Sequence, residues 1–514
     1  MKSLKLGLKA LTLEEVHEVA VQGRKVELAP AAVKRIETAH KFLLAKVKSG
    51  DTFYGINTGF GLMSNVKIKS TDLEALQYNL IRSHACGVGP YLEDRYVRAM
   101  LLLRAANLTQ GHSGVSVKLV RQILDVLNAG VCPLIPEQGS VGASGDLAPL
   151  AHLALVLIGE GKARLNGEIM SGAQALQTAG LQAIRLGPKE GLALINGTQF
   201  MTAIGALTLL EAEHLCDAAD AAAAMTLEAL RGTDAAFSEE IHAVRPHPGQ
   251  IKTAQRMRKL LTDKGPRGLK KSAIALSHAD CGKVQDPYSL RCVPQVHGAS
   301  RDTLTFVRQV LSREINAVTD NPLIFPKAGK GGKILSGGNF HGQIVAMAMD
   351  YLSIAVSEIA NISELRIEKL SNPALSDLPA FLVKEGGLNS GYMIIQVAAA
   401  AIVSENKTLC HPASVDSIPT SADKEDHVSM GAWAARKAAK VVTNARRVLS
   451  MELMAGAQGI DLLRPLKSTQ AVEKLHAAVR ERVPYAESDR IFHDDILAIE
   501  CWLASVESER TVKV

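Results

Sequence analysis

Aromatic side chains are scarce in this chain of 514 residues, at 4% of the total with only two tryptophans. Strands favour aromatic and β-branched residues, and surfaces that stack nucleic-acid bases need aromatic rings. A sheet-built protein is therefore disfavoured. Charge of one sign is lacking too, since 58 basic residues stand against 52 acidic ones for a net charge of +6 spread along the chain. The two basic runs, 256–271 and 327–333, contain no aromatic residue and read as solvated surface, so no nucleic-acid partner is expected. The seven cysteines, at 86, 132, 216, 281, 292, 410 and 501, form no C-x-x-C pair, and H-E-x-x-H is absent. Reduced thiols are expected, with neither a disulfide framework nor a metal centre supported. No stretch of about 18 residues is both apolar and free of charge, so no membrane span is expected. The N-terminal Met1 to Leu8 has no long apolar core or cleavage pattern, which makes a cytoplasmic location the expectation.

What is abundant is alanine and leucine, within a hydrophobic share of 47%. That composition favours helix packing. Apolar spacing predicts helices over residues 30–48, closed by Gly50, and over 73–82, 95–107, 115–128 and 147–158, with a strand-turn excursion at 159–172. Longer helical patterns follow at 200–230, 341–370, 390–409 and 428–463, apolar on more than one side. Helices of that kind bury surface against one another and against other subunits. The expected fold is mostly α, with a long-helix bundle over 206–514 and a smaller mixed domain over 1–205. A homo-oligomer follows from the same pattern.

The chemistry concentrates in small polar islands. In Gly139-Ser-Val-Gly-Ala-Ser-Gly-Asp-Leu-Ala-Pro-Leu150, Ala143, Ser144 and Gly145 are small enough for a backbone cyclisation. Gly145 has no Cβ to stop its nitrogen folding back on the Ala143 carbonyl. Loss of water would close a five-membered imidazolone, and loss of the Ser144 hydroxyl would leave a methylidene electrophile. Taken alone, the same run reads as a turn. Asp146 suits a helix N-cap and Pro149 a first turn, which would set Ser144 at the positive end of a helix dipole.

Other islands carry groups such an electrophile could use. The loop Phe53-Tyr-Gly-Ile-Asn-Thr-Gly-Phe-Gly61 lacks the lysine of a P-loop and the G-x-G-x-x-G order; its functional reading is a lid carrying Tyr54, and a tyrosine buried for packing is the plain alternative. His84 stands beside a glycine pair, where a capped helix end is the plain alternative. Asn196-Gly197 has the form of a turn or cap. Gln285, Tyr288 and Arg291 are spaced three apart, so one face could present all of them. A guanidinium matches a carboxylate with two parallel hydrogen bonds, although a structural ion pair uses the same geometry. Phe340 in Ser336-Gly-Gly-Asn-Phe-His-Gly342 and Glu425 in Lys424-Glu-Asp-His427 complete the set.

Gly142-Ala-Ser-Gly-Asp-Leu-Ala-Pro-Leu-Ala151 resembles the signature of the aromatic amino-acid ammonia-lyases and related aminomutases, and five further motifs follow that family's order from Tyr54 to about Met430. The resemblance implies a 4-methylidene-imidazol-5-one formed from Ala143-Ser144-Gly145, with no external cofactor. It implies that Tyr54 is the acid or base, that Asn196 contacts the electrophile and the substrate carboxylate, and that Arg291 anchors that carboxylate beside Tyr288 and Gln285. Phe340 would wall the electrophile, and His84 would read the substrate side chain. Ser83-His84 and a carboxylate at Glu425 are similar to the histidine-specific members, where phenylalanine and tyrosine lyases carry Gln in place of the Glu. Histidine is therefore the expected substrate, with trans-urocanate and ammonia as products. A tyrosine or phenylalanine lyase or an aminomutase is the alternative, and a non-catalytic helical assembly protein is the rival of another class. Attack by the substrate amine is expected, with attack by the imidazole ring as the other route. Leu62-Met63-Ser64 departs from the family's run after the lid. The family's tetramer, with active sites shared between subunits, is the expected assembly.

Overall fold

The computed structural model describes residues 1–49, 52–265, 268–278, 284–327 and 331–513. Gly50, Cys281 and parts of both basic runs (266–267 and 328–330) lie outside them. The chain divides into two compact units, one of residues 1–207, 308–350 and 412–436, the other of 208–307, 351–411 and 437–514. Each unit is assembled from three separate segments of the chain. The first unit takes back two later segments, which carry Phe340 and Glu425.

The first unit is mixed. Its helix Pro30–Lys48 begins with proline, whose missing N–H costs nothing there, and buries Ala32, Ile36, Ala39 and Leu43 at three- and four-residue spacing. Thr12 and Glu15 form a capping box that starts Leu13–Ala20. Ser116 caps Val117–Ala129, which Gly130 closes in a left-handed turn. Asp94–Thr109 is the unit's central helix, buried at every residue from Ala99 onward. The expected excursion is an antiparallel hairpin, Lys162–Leu165 with Glu168–Ser171, extended to a third strand by Cys132–Pro133. The helix expected to end at Arg82 instead runs Leu73–His84, so Ser83 and His84 occupy its last turn. The Ser83 hydroxyl donates to the Leu80 carbonyl, a local bond that tolerates this helical geometry.

Long helices dominate the second unit, and they include the greater parts of Gln199–Ala229, Gln343–Ser371 and Gly431–Leu462, together with Met393–Leu409. Each matches an expected pattern to within three residues at either end. Val293–Glu314 has no counterpart among those patterns. Its periodicity is disguised because it turns charges inward: buried Asp220 receives hydrogen bonds from Arg301, Arg256 and the His297 ring. Burial alone would raise the Asp220 carboxyl, but the two guanidiniums and His297 overcome this and hold it down at about 2. Arg256 thereby corrects the reading of 256–271 as solvated, since the helix Pro248–Leu261 turns that residue into the core.

A second buried ion pair ties three of the long helices together. Glu452 accepts two bonds from Arg366, at 2.5 and 2.8 Å, one from Ser363 and one from Thr226, and none of these side chains is exposed. Among the described residues, Gln343–Ser371 is the one helix long and apolar enough to cross a membrane, and 67% of its apolar window is buried inside the protein, as in a core helix.

Removing the guanidinium in Arg366→Met should cost about 3–5 kcal/mol in denaturant unfolding, because it strands a buried carboxylate. Replacing both partners with apolar residues, Arg366→Met with Glu452→Leu, should recover most of that loss. Equal destabilisation of the single and double variants would show that the pair itself is stabilising.

Candidate active site

Three segments of the first unit converge on the turn at residues 139–146. The Gly145 backbone, at φ +75°, runs beside Gly197, and the Asp146 N–H donates to the Gly197 carbonyl at 2.7 Å. A Cβ at residue 145 would lie 2.3 Å from that carbonyl oxygen, so only glycine fits. On the other side, the Met430 N–H donates to the Val141 carbonyl at 2.8 Å and the Ser429 hydroxyl to the Gly142 carbonyl at 2.8 Å. The loop that carries Phe340 joins through the Gly342 N–H, 3.4 Å from the same Gly142 oxygen, and Phe340 is half-buried.

Ser144 is gripped at both of its oxygens. Its hydroxyl donates to Glu425 Oε1 at 2.5 Å, and its carbonyl accepts from Asn196 Nδ2 at 2.7 Å. Ala143 is buried and Ser144 half-buried. Small residues at 143 and 145 and a left-handed bend at 145 are what the ring closure needs, and a donor already meets the Ser144 carbonyl, which would become the C=O of the ring, so these residues fit the protein-derived electrophile. A hydrogen bond to that carbonyl also draws electrons from any double bond conjugated with it.

Asp146 occupies the position before helix Leu147–Leu157 but does not cap it, contrary to the expectation. Its carboxylate turns to the start of the long helix Gln199–Ala229, where Oδ2 accepts from the Met201 N–H at 3.0 Å, while Oδ1 accepts from the Ser140 hydroxyl at 3.1 Å. Full burial pushes this carboxyl up to about 7, only partly offset by those hydrogen bonds.

Glu425 is held by a tight reversal. Thr420 and Glu425 pair through both backbone bonds, and the Thr420 and Ser421 hydroxyls donate to Oε2 at 2.7 and 3.0 Å. Ser421, Ala422 and Asp423 all have positive φ, at 53°, 53° and 60°, a left-handed run that costs energy at each non-glycine residue. The reversal leaves Oε1 aimed at Ser144. His84 lies within the field of Glu425, and its Nδ1 is 3.0 Å from the Ser83 hydroxyl. Burial lowers the His84 pKa against the pull of Glu425, so the ring is neutral at pH 7.

The Tyr54 loop rests on the helix that ends at Asn196: Gly55 sits so close to Leu192 that a Cβ there would clash. Phe60 packs edge-on to the Tyr54 ring, with centroids 6.5 Å apart. Gln285, Tyr288 and Arg291 belong to the second unit. Arg291 stacks over the Tyr288 ring at 4.5 Å, within the short helix Tyr288–Arg291. Gln285 precedes that helix; Gln285 and Tyr288 are exposed and Arg291 is half-buried.

The family model for aromatic amino acid lyases matches residues 11–481. The chain belongs to the aromatic amino acid lyase family. A histidine ammonia-lyase of Anaeromyxobacter sp. (strain K) is 53% identical over 97% of this chain and 98% of its own length. The crystal structure of histidine ammonia-lyase from Trypanosoma cruzi superposes with a TM-score of 0.90 at 47% identity, covering 100% of this chain and 95% of that one. A tyrosine aminomutase from Streptomyces globisporus shares the fold with a TM-score of 0.92 at 36% identity, covering 99% and 98%.

Residues outside the sequence motifs support Glu425 and Asn196: Thr420 and Ser421 donate to the Glu425 carboxylate, and Arg104 donates to the Asn196 carbonyl. Thr420 and Ser421 look like ordinary turn residues in sequence, and nothing there signals their grip on Glu425. Arg104 did leave a signal, a lone cation inside the apolar run Met100 to Leu108.

Because Asp146 titrates near 7 when folded but near 3.8 when unfolded, the folded state holds a proton between those values that the unfolded state has lost. Its contribution to stability is full below the lower value and disappears as pH rises through the upper one. The melting temperature of the wild type, measured against Asp146→Asn, should therefore fall between about pH 4 and about pH 7 and level off above that. A difference that stays constant with pH would contradict a raised carboxyl.

Proposed function

We propose that this lyase eliminates ammonia from L-histidine without oxidation, giving trans-urocanate, the opening step of histidine breakdown. The observation that carries the substrate reading is the carboxylate of Glu425 at 2.5 Å from Ser144, with the neutral ring of His84 in its field. A carboxylate accepts from an imidazole N–H, and a neutral imidazole can donate to or accept from another. Neither arrangement has a comparable use for a phenyl ring.

The 4-methylidene-imidazol-5-one that Ala143, Ser144 and Gly145 would form supplies an electrophile that turns the amino group into a better leaving group. The protein's own side chains do the rest. Asn196 holds the Ser144 carbonyl, and Phe340 closes one wall. Tyr54 takes the proton from the substrate β-carbon as the bond from the α-carbon to nitrogen breaks. Arg291 holds the carboxylate in its planar fork, with Tyr288 and Gln285 beside it. Glu425 and His84 hold the imidazole, and Glu425 is also placed to receive a proton. No external cofactor enters this scheme.

The same reading includes a cytoplasmic homotetramer. Exposed Phe306, Tyr351 and Ile354 line an apolar cavity of about 610 Å³ in the second unit, the kind of surface that subunits cover.

Product absorbance followed with histidine, tyrosine and phenylalanine side by side should show turnover of histidine far above the other two. Faster turnover of tyrosine or phenylalanine, or recovery of a β-amino acid, would transfer the assignment to the other lyases or the aminomutases. Replacing Ser144 with alanine should abolish turnover while the protein stays folded. Wild-type rates in that variant would refute the electrophile.

A further inference from the structure

Asn196 reaches the Ser144 carbonyl through one hydrogen bond, and its other side-chain atom, Oδ1, is buried without a partner among the described residues. No second hydrogen bond of the side chain fixes the amide in that pose. Its aim depends on where the backbone puts it, and that backbone is clamped by buried cations.

Asn196 ends the six-residue helix Glu190–Ile195. At its start, Lys189 sits in a left-handed conformation, φ 68°, and donates to Asp320 at 2.5 Å, with both side chains wholly buried. At its end, Nη1 of Arg104 donates to the Asn196 carbonyl at 2.8 Å, and Nη2 donates to the side-chain oxygen of Asn107. Asn107 is anchored in turn to the Ala317 carbonyl at 3.1 Å and to Thr319 at 3.2 Å. Arg104 has no exposed surface, and burial lowers its pKa to about 10 against the attraction of Asp320. A cation is costly to bury, and here it is spent on a neutral backbone oxygen beside the reacting turn. The fork is needed because two acceptors must be bridged at once. A Cβ on Gly197 would lie 2.9 Å from Nη1, which leaves the guanidinium packed against the peptide that pairs with Gly145.

We propose that Arg104 is a positioning residue for the lyase reaction: by holding the Asn196 carbonyl from behind, it aims the Asn196 amide at the carbonyl of Ser144. That oxygen is where electron density collects when the electrophile accepts electrons. The inference rests on the functional reading above and adds a residue that touches neither substrate nor electrophile.

The test compares full-length wild type, Arg104→Met and Arg104→Lys by near-ultraviolet absorbance per chain, by kcat and KM for histidine, and by thermal unfolding. The conjugated ring absorbs in the near ultraviolet, so its band reports on the electrophile without turnover. Arg104→Met should lower kcat by about 10- to 100-fold, the effect of one charge-assisted hydrogen bond, and weaken or shift the band. KM should stay within about threefold, as expected when an interaction matters to the transition state rather than to binding. Arg104→Lys should fall between the two, because it keeps the charge but cannot bridge both acceptors. A folded Arg104→Met with wild-type kcat and band overturns the proposal, and so does failure of both variants to fold, which would make Arg104 purely structural. If the wild type releases no ammonia from histidine, the functional reading fails instead, and the absorbance comparison alone decides the role of Arg104.

Discussion

The site depends on two glycines lying side by side. Gly145 and Gly197 approach until a single methyl group on either would collide with its surroundings, and the Asp146 N–H closes the contact on the Gly197 carbonyl. This close approach brings the Asn196 amide to the Ser144 carbonyl. It also directs the Asp146 carboxyl toward the first turn of Gln199–Ala229. Had either residue a side chain, the turn and the start of that helix would be forced apart, and with them the Ser144 carbonyl and the Asn196 amide.

Around that contact, burial assigns different states to groups that look alike in sequence. Asp146 and Asp220 are both fully buried aspartates. The first has only neutral donors and is pushed up to about 7; the second faces two arginines and a histidine and is held at about 2. Glu425 is only half-buried, and its hydroxyl partners occupy one oxygen and leave the other toward Ser144. One carboxyl is thus fitted to hold a helix start, one to neutralise cations and one to meet the reacting residue. Charge in this protein is placed by the company it keeps rather than by exposure.

The left-handed run at 421–423 and the buried cations at 104 and 189 have the same logic. Strain and desolvation are both unfavourable locally, and both persist only where packing elsewhere compensates. The left-handed run lies directly behind Glu425 and Arg104 directly behind Asn196, the two groups that meet Ser144, while Lys189 anchors the far end of the Asn196 helix. The first unit concentrates these costs near one turn, while the second unit's buried ion pairs join its long helices.

The helical class, nearly every long helix and the site motifs were legible in the chain because they rest on local rules. Apolar residues recur at helical spacing, a proline or a capping residue marks a start, and small residues allow a backbone to bend. Asp146 shows the limit: its local sequence suits a cap on the helix that follows, yet a different helix claims its carboxylate. Val293–Glu314 was hidden because its buried face carries Arg301 and His297, whose partner Asp220 is over seventy residues away in the chain. The grip of Thr420 and Ser421 on Glu425, the fork of Arg104 behind Asn196 and the return of 308–350 and 412–436 to the first unit were likewise decided by tertiary structure. Sequence by itself determined which residues could react and which segments would be helical, since both depend on neighbours a few positions apart. Which carboxyl carries a proton, which cation is buried and where each amide points depend on distant segments that meet only in the folded protein.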